Sequence, residues 1–179
     1  LPALRSSLLG SLLAGSRRSR AWLERRMEML SIPFRSGAPF ALLLARLDAE
    51  EAEDDEGASL LVYAMANMAE ELVAEEAAVW ACEDAAGDLA LLVMPHASIL
   101  EAGESPDKLA ESLAIRLQEC VERFLKRTVS VVVSPAGEFP EDAAARYSSA
   151  VDCMRQHIGL SRCRLITMAR MKEPARSGV

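Results

Sequence analysis

Apolar positions change spacing several times along this chain, and each change predicts an element. Leu4, Leu8, Leu9, Leu12 and Leu13 recur at helical spacing over residues 3–14. Gly15 is a stop signal, and Ser16 or Ser19 can cap a second helix running to about Leu30. That helix sets Trp22, Leu23, Met27 and Leu30 on one side, with Arg17, Arg18, Arg20, Arg25 and Arg26 around the rest as a solvated face. Pro and Gly punctuate residues 32–39 as a connector. Residues 40–47, FALLLARL, are nearly continuous apolar sequence, as expected of a central strand covered on both faces. Leu and Ala also suit a helix, but Pro39 before the run and the acidic tract after it favour a strand.

Residues 48–56 hold seven acids, Asp48, Glu50, Glu51, Glu53, Asp54, Asp55 and Glu56, whose mutual repulsion predicts a solvated loop. Residues 57–75 read as an amphipathic helix, with Leu60, Leu61, Ala64, Met65, Met68 and Leu72 inward and Glu70, Glu71 and Glu75 outward. Residues 79–82 form a short strand, 83–88 a Gly-containing hairpin loop, and 89–94 the return strand, ended by Pro95. Residues 96–104 read as a loop. Ser105 then caps a helix with Pro106 at its first position and Asp107 in its first turn. It runs to about Arg127 with Leu109, Leu113, Leu117, Cys120, Val121 and Phe124 inward. Residues 129–133, VSVVV, are a β-branched strand. Phe139-Pro140 opens a further helix carrying Tyr147, Ala150, Val151 and Met154 on one side and ending at Gly159. Residues 165–168 are expected as a last, edge strand, and the tail from Glu173 as disordered.

Two strand–helix units joined through a hairpin make a split β-α-β pattern. Right-handed crossovers place both helices on one face of the sheet. The fold class is therefore α+β: a ferredoxin-like or palm-like βαββαβ core, a central mixed sheet with helices packed on it. N-terminal helices precede this core, and a C-terminal helix and edge strand follow it. The expected organisation is a helical segment over 1–36, the folded domain over 37–171 and a tail over 172–179. Such a fold assigns no function by itself.

Composition narrows the function classes. Of 179 residues, 51% are hydrophobic but only 4% aromatic, so the core must be built from Leu, Val, Ala and Met. A net charge of −7 argues against a nucleic-acid-binding domain, which usually carries a basic face. Cys82, Cys120, Cys153 and Cys163 contain no C-x-x-C pair and read as free thiols of a reducing cytosol. His96 and His157 lack ligand spacing, and the acidic tract lacks the fixed offsets and Gly of a calcium loop. No apolar run approaches the ~18–20 residues that span a bilayer. The start, Leu1-Pro2-Ala3-Leu4, has neither an initiator Met nor the pattern of a signal peptide, as expected of a piece of a longer polypeptide. There is no Gly-rich phosphate loop, G-x-S-x-G or H-E-x-x-H, and no cofactor is expected.

The string Val62-Tyr63-Ala64-Met65-Ala66-Asn67-Met68-Ala69-Glu70-Glu71-Leu72 is more specific. With the strand, acidic hairpin and apolar strand that follow, it resembles the degenerate GGDEF-like domains inside bacterial transcription regulators. These are response regulators of the AraC type, with CdaR/PucR-type activators carrying a related module. Their helix reads phenylalanine-alanine-x-x-asparagine-hydrophobic-x-glutamate-glutamate; Tyr63 here replaces the phenylalanine, and the tract after the first strand is unusually acidic. The resemblance covers about residues 3–170. It implies a place between an N-terminal receiver or sensor and a C-terminal helix-turn-helix pair. The implied partners are the neighbouring domains and a second copy. It implies no direct nucleic acid contact by these residues, and no membrane.

The same resemblance poses the question of cyclase activity. A diguanylate cyclase needs two metal-binding carboxylates and glycines that admit GTP, because metals and positioning dominate phosphoryl transfer. One register lays Ala85-Ala86-Gly87-Asp88-Leu89 on Gly-Gly-Asp-Glu-Phe, which turns both glycines into alanine and the metal-ligating aspartate into Gly87. Shifting by one pairs Gly87-Asp88 with Gly-Asp, but Leu89 then replaces the glutamate. Asp48, at the end of the first strand, stands where the other carboxylate would be, as a vestige. The expectation is no catalysis and no metal: a regulatory module that transmits a signal, helped by dimerisation along the N-terminal leucine helix unless that helix folds back on the sheet. The alternative is an effector-binding module using the hairpin or the open face of the sheet.

Overall fold

The computed structural model describes residues 2–50, 54–159 and 161–171. Its elements are α1 (Pro2–Leu13), α2 (Arg20–Met29), β1 (Pro39–Leu47), α3 (Asp55–Leu72), β2 (Ala77–Glu83), β3 (Leu89–Pro95), α4 (Ala97–Glu101), α5 (Pro106–Cys120), β4 (Val129–Val133), β5 (Gly137–Glu138), α6 (Ala143–Cys153) and β6 (Leu165–Thr167). Side chains cap three helices at their starts. Ser19 accepts from the Trp22 N–H, Asp54 from the Gly57 N–H and Ser105 from the Lys108 N–H. The expected tail lies outside the described residues, as do 51–53 of the acidic tract.

The sheet runs β2-β3-β1-β4-β6, with the short β5 paired to β1. β1 lies antiparallel to β3 (Leu43↔Leu91) and to β4 (Leu43↔Val133), while β4 and β6 are parallel. The protein is α+β, and β2-β3-β1-β4 with α3 and α5 between strands is the order that a split β-α-β pattern dictates. Phe40 through Ala45 have no solvent exposure, because β1 is flanked by a strand on each edge and by helices on each face. That burial favours strand over helix for this apolar run.

One face of the sheet presents Leu43, Leu91, Val93 and Val131 to Val62, Met65 and Ala69 of α3 and to Leu113 and Leu117 of α5. The other presents Leu42, Leu44, Leu92 and Val132 to Leu9 and Leu13 of α1, Leu23 and Met27 of α2, and Ala150 and Cys153 of α6. The sheet therefore has no open face, and α1 folds back on it instead of standing as an apolar seam. Aromatic edges lock this second layer: Phe34 meets Trp80 at 5.6 Å and Phe139 at 5.2 Å between ring centroids. Among the described residues no helix is long and apolar enough to cross a membrane.

Several expectations are corrected. On α3 the inward line is Val62, Met65, Ala69 and then Val73, and Leu60 is 67% exposed. Apolar residues cover more than one arc of this helix, so the pattern could not fix its centre. Phe124 is 63% exposed. A π turn at Val121–Leu125 accommodates one extra residue, so the buried stripe slips and the half-buried Leu125 takes the inward place. Residues 97–101 are helix rather than loop. Phe139 does not open a helix; it is fully buried in the aromatic cluster, and α6 begins at Ala143.

Candidate functional site

The hairpin between β2 and β3 is held by Asp84, which precedes the Ala85–Leu89 signature stretch. Its Oδ1 accepts from the backbone N–H of Ala86 (3.0 Å) and Asp88 (2.9 Å). The Asp84 N–H donates to Asp88 O and the Gly87 N–H to Asp84 O. Gly87 has φ +83 with open space where a Cβ would stand, so it is required by backbone conformation and not by a close neighbour. An Asp followed three residues later by Gly is itself a turn signal, and it was available in Asp84-Ala85-Ala86-Gly87.

Asp88 is 4% exposed and accepts two bonds from Arg46, from Nε at 2.9 Å and from Nη2 at 2.8 Å. The β1–β3 register sets Ala45 opposite Leu89, which brings Arg46 beside Asp88. Burial pushes the Asp88 carboxyl up from its usual range, against the opposing pull of Arg46. The hydrogen bonds to Asp88 push the Arg46 guanidinium up. Asp84 Oδ2 accepts from the Tyr147 hydroxyl at 2.7 Å. Burial first, and then this carboxylate, push the Tyr147 phenol up. Together these groups line a cleft of about 350 Å³ that Val151 of α6 and Arg155, in the π turn that follows it, complete.

Asp48 is not solvated, and its carboxylate bonds groups outside this loop. It is 6% exposed, and its carboxylate accepts from Thr128 Oγ1 (2.6 Å), Ser130 Oγ (2.8 Å) and the Cys163 N–H (2.7 Å). Its backbone adds a bond to Thr128 O, and Arg127 Nη2 donates to its carbonyl at 2.7 Å. These bonds tie the end of β1 to β4 and to the approach to β6. Asp88 bonds Arg46 from the β3 side of β1 and Asp48 bonds Thr128 and Ser130 on the β4 side, so the two carboxylates share no partner among these bonds.

A magnesium–nucleotide centre does not fit these residues. Magnesium demands near-octahedral oxygen ligation and carboxylates free to give it. Asp88 faces a guanidinium, Asp84 a phenol and two amides, and Asp48 two hydroxyls and an amide. Among the described residues no group of three or more His, Cys, Asp or Glu could hold a metal ion. In the first register Ala85 and Ala86 put methyl groups where the cyclase signature has glycines; in the second Leu89 puts an isobutyl group where it has an acid. Leu89 is itself buried in the core.

The remaining candidates are structural. His96 Nε2 lies 3.1 Å from Ala74 O. Cys82 is buried, and burial pushes its thiol up to about 12. Of the arginines on and just before α2, Arg18 and Arg26 stand over the Trp22 ring at 4.7 and 5.3 Å, and Arg20 pairs with Glu141. No family model matches this chain, and no curated protein matches it.

Proposed function

We propose that this chain is a non-catalytic regulatory module of a bacterial transcriptional regulator, of the degenerate GGDEF-like kind. In this reading it works in the cytoplasm and passes a signal between a receiver or sensor and an AraC-type DNA-binding domain. Its partners are those neighbouring domains and a second copy of the module. The observation that supports it best is internal saturation of the acids at the cyclase positions: Asp88 by Arg46, and Asp48 by Thr128, Ser130 and Cys163. A sheet whose candidate ligands have become struts retains a scaffold and loses the chemistry. The effector-binding alternative loses one of its two sites, because helices cover the face of the sheet it would use.

The reading frame around these 179 residues tests the proposal. A receiver or sensor upstream and two helix-turn-helix motifs downstream are the expected result. A frame that codes for neither contradicts it.

A further inference from the structure

β2 is an edge strand that α1 covers only in part, through Ser6 Oγ on Ala81 O and Trp80 Nε1 on Arg5 O. Its sequence, AAVWACE, has no Pro, no Lys and no charge before Glu83. The bonds from Asp84 N–H to Asp88 O and from His96 N–H to Glu76 O bracket its ladder with β3. With the continuous register between them, the even-numbered residues face β3, and Val79, Ala81 and Glu83 turn their N–H and C=O groups outward. Among the described residues no strand pairs with that side; Ser6 Oγ approaches Ala81 O at 3.3 Å. The opposite edge of the sheet, β6, is only three residues long.

A groove of about 370 Å³ runs along this free edge, walled by the start of α1 and by Tyr63, Asn67 and Glu70 of α3. Tyr63 is 60% exposed there, a large aromatic surface. The free charge in the groove is acidic. Glu70 and Glu83 are exposed, and Glu83 keeps its charge unpaired by any cation while accepting from the neutral Ser59 hydroxyl, whereas the Arg5 guanidinium is drawn aside to Leu30 O (2.7 Å) and Ser31 O among the described residues. A second copy would bring the same carboxylates with it. We propose that the β2 edge is a docking site for an extended basic peptide, which adds as a strand to Val79–Glu83 and places Lys or Arg against Glu70 and Glu83. This inference goes beyond the regulatory reading and does not depend on it.

The probe is a labelled hexapeptide of alternating Lys and Val, compared with its Glu–Val counterpart. Anisotropy gives affinity, and amide hydrogen exchange gives location. Binding of the Lys–Val peptide alone, with slowed exchange at Val79 and Ala81, is the expected result. Ala81→Pro removes the outward donor without touching the β3 ladder and weakens binding at least about tenfold. The Glu70→Lys, Glu83→Lys double variant changes two exposed side chains and gives up only the exposed Ser59 Oγ bond to Glu83, so it serves if Ala81→Pro fails to fold. It reverses the preference towards the Glu–Val peptide. Binding that leaves Val79 and Ala81 exchange unchanged overturns the proposal. So does sedimentation showing the free protein dimerised through this edge.

Discussion

At the residue scale, Asp48 carries more of the structure than its place in an acidic tract suggests. Three donors converge on one buried carboxylate, and removing it leaves all three without their acceptor. Asp48→Ala is expected to cost about 2–4 kcal/mol in urea unfolding, since buried unsatisfied groups are expensive. Glu56→Ala, at an exposed position of the same tract, is expected to change stability by less than about 0.5 kcal/mol. Tyr147 gives a pH signature. Its folded-state value is raised, so between about pH 10, where a free phenol ionises, and that higher value the folded chain keeps a proton the unfolded chain has lost. Stability is therefore undiminished by this group below pH 10 and falls as pH rises above it. The chain has two tyrosines, so absorbance titration near 295 nm can separate them. Tyr147→Phe should abolish the later phase and flatten the alkaline loss of stability.

At the element scale, the apolar run of β1, the VSVVV of β4 and the cap at Ser105 are legible because local composition decides them, while the cap of α2 is narrowed only to Ser16 or Ser19, of which Ser19 serves. The exposed Phe124 and Leu60 are not legible. The first depends on a π turn at the end of α5, and the second on which arc of α3 meets the sheet. Both are settled by packing between residues distant in sequence. Phe124→Ser should shift stability by no more than about 0.5 kcal/mol, while Leu117→Ala, on the buried side of α5, should cost about 2–5 kcal/mol. Thermal and urea melts of the two variants check this. The direction of Asp48 was hidden for the same reason: its partners lie about eighty and more residues away, at Thr128, Ser130 and Cys163. Asp84, by contrast, was readable from its spacing to Gly87.

At the scale of the whole molecule, α1 and α2 complete the second layer of the core. Deleting residues 2–36 would uncover Leu42, Leu44, Trp80 and Leu92 together. The truncated chain is expected to bind a hydrophobic dye such as ANS and to lose its cooperative melt. A truncated chain with an unchanged melt would show that the sheet stands without them. The proposal of a non-catalytic module requires that the acids of the split β-α-β scaffold serve as structural ties. It is tested most directly by incubating the purified protein with GTP and Mg²⁺ or Mn²⁺ and measuring cyclic di-GMP by mass spectrometry. The account predicts no product and no metal-dependent rise in melting temperature. Cyclic di-GMP that appears with the protein and disappears with Asp88→Ala would contradict it.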